Sequence, residues 1–187
     1  FIMNSLLTIS SFIFPLITFP YVSRILLPEG TGKVSFVTSV VTYFNMFAQL
    51  GIPTYGIRAC AKVRDDKETL SRTVHELLSI NLIMSALAYL VLGICLATIP
   101  RFQTEKSLFI IVSTTILFNA VGVEWLYKGL EQYTYITVRS LVFKVIALVA
   151  MLGLVHEKSD YVIYGAITIF AASASNVLNL INTRKYI

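Results

Sequence analysis

The sequence predicts an all-α polytopic membrane protein, a bundle of six transmembrane helices, and three observations carry that prediction. Six apolar runs are each long enough to cross a hydrocarbon layer of ~30 Å, which takes about 20 helical residues. Of the 187 residues, 56% are hydrophobic and 13% charged, with a mean hydropathy of +0.77, whereas soluble domains carry roughly 25% charged residues. The basic residues gather in the short connections and fall unequally on alternate ones, the pattern that orients a chain in a bilayer.

The runs lie near 2–23, 34–56, 75–98, 107–127, 138–155 and 161–182. Pro28, Gly30 and Gly32 punctuate the first connection and Pro100 the third, while charge clusters at Arg64 to Glu68 and His156 to Asp160 mark the second and fifth. Every connection is short, so residues 1–187 read as one compact lobe. One side of the bundle holds Arg58, Lys62, Arg64, Lys67, Arg72, Lys128, Arg139, Arg184 and Lys185; the other holds Arg24, Lys33, Arg101, Lys106 and Lys158. The richer side is expected in the cytoplasm, together with the N-terminus. Phe1 opens inside an apolar stretch, without the basic n-region or cleavage pattern of a signal peptide. That opening is expected of a truncated N-terminus and not of a targeting segment.

Several function classes are disfavoured. The +5 charge sits in connections and lacks the aromatic interleaving of a nucleic-acid surface, so no nucleic acid is expected. Cys60 and Cys95 form no disulfide framework, and no His, Cys, Asp or Glu cluster suggests a metal. His75 and His156 are isolated, and no carboxylate pair lies within a run to share acid and base roles. Glu29 to Lys33 is a poor phosphate loop, since Leu27 and Val34 stand where Gly and Ser or Thr belong. Neither an enzyme nor a cofactor is expected.

Polar periodicity is more informative than hydropathy, because polar residues within a span must face protein or water. Asn4, Thr8, Ser11, Pro15 and Thr18 recur at steps of four and three and occupy one helix face. Ser35, Thr38, Thr42, Asn45, Gln49, Pro53 and Gly56 do the same in the second run. Two such stripes on neighbouring helices either glue helices together by hydrogen bonds or line a shared wet cavity; the length of the second, with Asn45 and Gln49, favours a cavity. Ser173, Ser175, Asn176, Asn179 and Asn182 form a third polar cluster, read as packing or interfacial solvation. Glu124 and Lys128 stand one turn apart and are expected to form an ion pair at the cytoplasmic end of the fourth run. Lys144 lies inside the fifth run, ~7.5 Å beyond Arg139. An intramembrane lysine is a candidate for an anionic, phosphate-bearing substrate. Arg24 and Arg58 end the first two runs beside the stripes and complete the candidate cavity set.

Three stretches resemble the polysaccharide or oligosaccharide flippases of the superfamily that also holds multidrug extruders. They are Leu26-Leu27-Pro28-Glu29-Gly30-Thr31-Gly32, where Leu27 replaces a usual glycine; Leu50-Gly51-Ile52-Pro53-Thr54-Tyr55-Gly56-Ile57-Arg58; and Glu124-Trp125-Leu126-Tyr127-Lys128-Gly129-Leu130-Glu131. The resemblance implies one six-helix lobe of a two-lobe exporter in the bacterial cytoplasmic membrane, with the first two helices lining a central cavity. It implies translocation of undecaprenyl-diphosphate-linked oligosaccharide by alternating access. The partners it implies are that lipid-linked oligosaccharide, membrane lipids, and a polysaccharide polymerase and other assembly proteins. Three competing readings are an ion-coupled multidrug extruder, which calls for an acidic residue in mid-span, a membrane-embedded enzyme of the same pathway, and a non-flipping scaffold.

Overall fold

The computed structural model describes residues 2–186, with the backbone alone for Ile2 and Asn4. Nine α-helices and no strand are found among them: α1 (Ile2–Gln49), α2 (Ile52–Lys62), α3 (Lys67–Thr98), α4 (Pro100–Thr104), α5 (Lys106–Val121), α6 (Glu124–Gly129), α7 (Tyr133–Leu154), α8 (Tyr161–Ile169) and α9 (Asn176–Thr183). A 3₁₀ turn, Lys158–Asp160, precedes α8, and a π segment, Phe170–Ala174, joins α8 to α9. Four helices are long and apolar enough to cross a membrane: Ser5–Lys62, Lys67–Thr98, Tyr133–Leu154 and Lys158–Thr183. The protein is therefore all-α and multi-pass.

Two predicted runs merge in α1, which bends at Leu27 (φ 56°, ψ 175°) into arms 2–26 and 28–49. Pro28 restarts the helix, since a proline at the first helical position loses no hydrogen bond. The predicted turn at 28–32 is thus one residue wide. The second arm ends where Leu50 (φ 45°) and Gly51 (φ 75°) turn left-handed, and α2 continues from Ile52. Likewise α5 stops before Val123 (φ 36°), and α6 takes over the tail of the fourth predicted run. The third run was expected near residue 75, but α3 starts at Lys67. Asp66 caps it, accepting hydrogen bonds from the backbone N–H of Glu68 and Thr69. The Thr69 hydroxyl, followed by those amides, draws the Asp66 carboxyl below its ordinary pKa.

Packing divides the two arms between different partners. Val22 and Leu26 of the first arm bury against Ala147 and Met151 of α7, Val155 just after it, and Ile167 of α8. Val34, Val37, Val41 and Ala48 of the second bury against Ala88 and Leu92 of α3 and Leu108, Phe109, Val112 and Ile116 of α5. The first arm and α7 run parallel in a fixed register. Thr137 donates to the Met3 carbonyl, Lys144 to Ser10, and Tyr21 to the Val155 carbonyl, each pair 134 residues apart. A third core fastens α2 to α6 through Ile52, Cys60, Trp125, Leu126 and Tyr127. There the Trp125 ring lies 2.7 Å from where a Cβ on Gly56 would stand, so only glycine admits this crossing.

Leu27 holds dihedral angles that glycine adopts freely and that cost other residues about 1–3 kcal/mol. Leu27→Gly is expected to raise the thermal unfolding midpoint in detergent, and Leu27→Val to lower it, as measured by a fluorescence melt.

Candidate functional site

The arms diverge from Leu27, and polar residues of both line a chain of cavities beside them. Near the bend, a cavity of about 520 Å³ is lined by Phe19 of the first arm, Thr31, Ser35, Thr38, Ser39, Thr42 and Tyr43 of the second, and Tyr164 and Thr168 of α8. Toward the other end, a cavity of about 570 Å³ is lined by Thr8, Ser11 and Pro15, by Glu124 and Lys128 of α6, by Ser140 and Lys144 of α7, and again by Thr168. A third, of about 180 Å³, lies behind α6 among Gln49, Pro53, Asn81, Asn119, Trp125 and Asn176, sharing Glu124 and Lys128 with the second. Shared walls make the three one continuous surface.

The charges of this surface cluster at its α6 end. The Lys144 ammonium donates to the hydroxyls of Ser10 at 2.8 Å and Ser11 at 3.0 Å. Among the described residues, no carboxylate lies within ion-pair distance of it. Glu124 stands 2.7 Å from Lys128 and 3.7 Å from Arg139. Arg139 has a side chain only 4% exposed, donates to the Ser175 carbonyl at 2.9 Å, and leaves its Nε unpartnered. Two cationic groups thus pair with one carboxylate, and Lys144 lines the same cavity as that carboxylate. Two local features set this up. The Gly122-Val123 break lets α6 restart at an angle, and Trp125 seats α6 in the notch that Gly56 leaves.

Amides tie the same end together. Asn45 Oδ1 accepts from Gln49 and Asn119, each at 3.3 Å, and Asn176 donates to Asn119 at 3.0 Å. Asn179 and Asn81 donate to the carbonyls of Gly122 and Ala120. Side-chain donors thereby satisfy carbonyls at the end of α5, which a helix leaves open.

Most expected residues converge here. Thr8, Ser11, Lys144, Glu124 and Lys128 line one cavity, Thr42 the next and Gln49 the third, with Asn45 bridging α1 to α5. Arg24 and Arg58 do not join them; both are exposed and lie outside these three cavities. The side chain of Asn4 lies outside the described residues. Two members of the stripes serve packing: Thr18 is buried and bonds to the Phe14 carbonyl, and Gly56 lies under Trp125. The buried Asn176 and Asn179 of the third cluster fit the packing reading. Sequence reasoning passed over Ser10, Asn81, Asn119, Tyr164, Thr168 and the burial of Arg139. Asn81 and Asn119 carried a usable signal, each being an amide within an apolar run.

The fold and groove define a class: an all-α multi-pass membrane protein with a charged, polar surface sunk among its helices. The chain belongs to the family described as "Polysaccharide biosynthesis protein", whose profile matches residues 1–187. Two curated relatives carry the name "Putative O-antigen transporter". The one from Escherichia coli strain K12 is 23% identical over 169 residues, covering 90% of this chain and 40% of the relative. The one from Shigella dysenteriae is 26% identical over 156 residues, covering 82% and 38%. The chain therefore spans about two fifths of the length of these relatives. No solved structure matches it.

Removing Glu124 strands a buried guanidinium, whereas removing Lys128 breaks a pair about one third exposed. Glu124→Ala is expected to destabilise the protein by about 2 kcal/mol, and Lys128→Ala by about 0.5 kcal/mol. Denaturant titration in detergent micelles measures both.

Proposed function

We propose that this chain forms one lobe of a flippase that carries oligosaccharide linked to undecaprenyl diphosphate across the bacterial cytoplasmic membrane. The observation that carries this reading is Lys144, an ammonium within an apolar span that two hydroxyls hold and no carboxylate pairs with directly, facing a groove it shares with Lys128 and Glu124. A half-buried positive charge of this kind is costly unless an anion completes it. A doubly charged diphosphate ester fits the excess of Lys128, Lys144 and Arg139 over Glu124.

The reading places the α6 end of the bundle at the cytoplasmic face, following the excess of basic residues there, and the Leu27 bend at the outer face. The diphosphate enters at Lys128 and Lys144. The prenyl tail stays in the bilayer beside the groove, so that only the headgroup crosses. A second lobe closes the groove from the other side, and rocking of the two lobes exposes it alternately to each face. Membrane lipids and the enzymes that assemble and polymerise the glycan are the partners of this role. The names of the family and of the two relatives support it, as do the polar residues that line the linked cavities.

Cells lacking the gene are expected to keep their lipid-linked repeat units out of reach of an impermeant probe on the outer face. Restoring the wild-type gene recovers labelling, and Lys144→Met lowers the labelled fraction at least tenfold at equal protein level. Normal labelling in the deletion strain refutes the reading.

A further inference from the structure

The groove is chemically divided along its length, and the division has a direction. All charged side chains that line it lie at the α6 end. The cavity nearer the bend has no charged wall: it presents the hydroxyls of Thr31, Ser35, Thr38, Ser39 and Thr42 with the rings of Phe19, Tyr43 and Tyr164. Thr31 and Thr42 turn their hydroxyls back onto the Leu27 and Thr38 carbonyls. The Ser35, Thr38 and Ser39 hydroxyls make no hydrogen bond within the described residues. At membrane depth such groups pair with water or with an occupant of the cavity.

We infer that this bend-end cavity is a carbohydrate subsite and that its hydroxyl face and aromatic rings set which glycan the protein carries. The inference rests on the flippase reading and extends it to the sugar. Uncharged hydroxyls exchange donor and acceptor roles with sugar hydroxyls, and aromatic rings take the apolar C–H faces of a pyranose; a phosphate finds neither a cation nor an ammonium here. Thr168 lines both cavities, so a glycan leaving the diphosphate at Lys144 passes it directly into the neutral one. A volume of about 520 Å³ holds more than one sugar ring. The subsite therefore contacts the repeat unit beyond its first residue.

The test uses cells expressing the protein from its whole gene and two lipids, undecaprenyl diphosphate bearing the complete repeat unit and the same lipid bearing one sugar. For each, the fraction reached by an impermeant outer-face probe is measured at matched protein level. The expected result for Thr38→Val combined with Thr42→Val, and separately for Tyr164→Leu, is a fall of at least fivefold in the ratio of complete-unit to single-sugar transport. Thr42→Ser, which keeps the hydroxyl, is expected to hold the wild-type ratio, and Lys144→Met to lower both lipids together. An unchanged ratio in both the threonine and tyrosine variants overturns the subsite. So does an equal loss for both lipids, which would mark the face as packed against another part of the protein. If the wild type moves neither lipid, the flippase reading itself falls.

Discussion

Hydrocarbon offers no hydrogen bonds, and this structure follows from that constraint. Every polar group within a span must find a partner in protein, in water or in a ligand. The amide N–H groups of Asn81, Asn119, Asn176 and Asn179 answer within the protein, each donating to a neighbouring helix, while the Oδ1 atoms of Asn81, Asn176 and Asn179 stay buried without a partner. Thr31 and Thr42 of the second arm answer on carbonyls of their own helix and the Lys144 ammonium on Ser10 and Ser11, while Ser35, Thr38 and Ser39 keep their hydroxyls for the groove. Apolar residues, by contrast, can stay at the surface without cost: Phe12, Leu16, Tyr43 and Val149 are each well over half exposed. An inside-out distribution of this kind is stable only with lipid around it.

Helix breaks place the functional groups more than the helices do. Leu27 separates two arms that would otherwise form one rod. The left-handed residues Leu50 and Gly51, with Val123, end the second arm and α5 and let α2 and α6 cross. Without that crossing Glu124 would not stand between Lys128 and Arg139. The cost of these breaks is met by the α2–α6 core, where Gly56 and Trp125 fit without a gap.

Much of this was legible in the amino-acid sequence, and what was missed has a common cause. The polar stripes are periodic, so Thr8, Ser11, Thr42 and Gln49 could be placed on polar helix faces before any coordinates, and all four line cavities. The helical class followed from hydropathy alone. What periodicity within one helix cannot give is the partner on another. Ser10 sits off the stripe, yet α7 brings Lys144 to it. Arg139 reads as a boundary cation, yet α6 folds over it and buries it. Arg24 and Arg58 were grouped with the cavity by proximity in sequence, but each sits on an exposed face of its helix outside the cavities. The bend at Leu27 was marked by the proline and glycines after it, while its one-residue width depends on a backbone conformation that leucine rarely adopts.

The fixed register between the first arm and α7 bears on how the chain can vary in length. Three hydrogen bonds spread from Met3 to Tyr21 keep one offset over about 27 Å of helix. A single inserted residue anywhere in that stretch would rotate everything beyond it by about 100° and lift Lys144 off its hydroxyls. The Asn176–Asn119 and Asn179–Gly122 bonds share another single offset and hold α9 against α5 in the same way. Joints outside these registers, such as 63–66, 99–105 and 156–160, are where a change of length leaves both untouched. The groove would keep its dimensions while such joints grew or shrank.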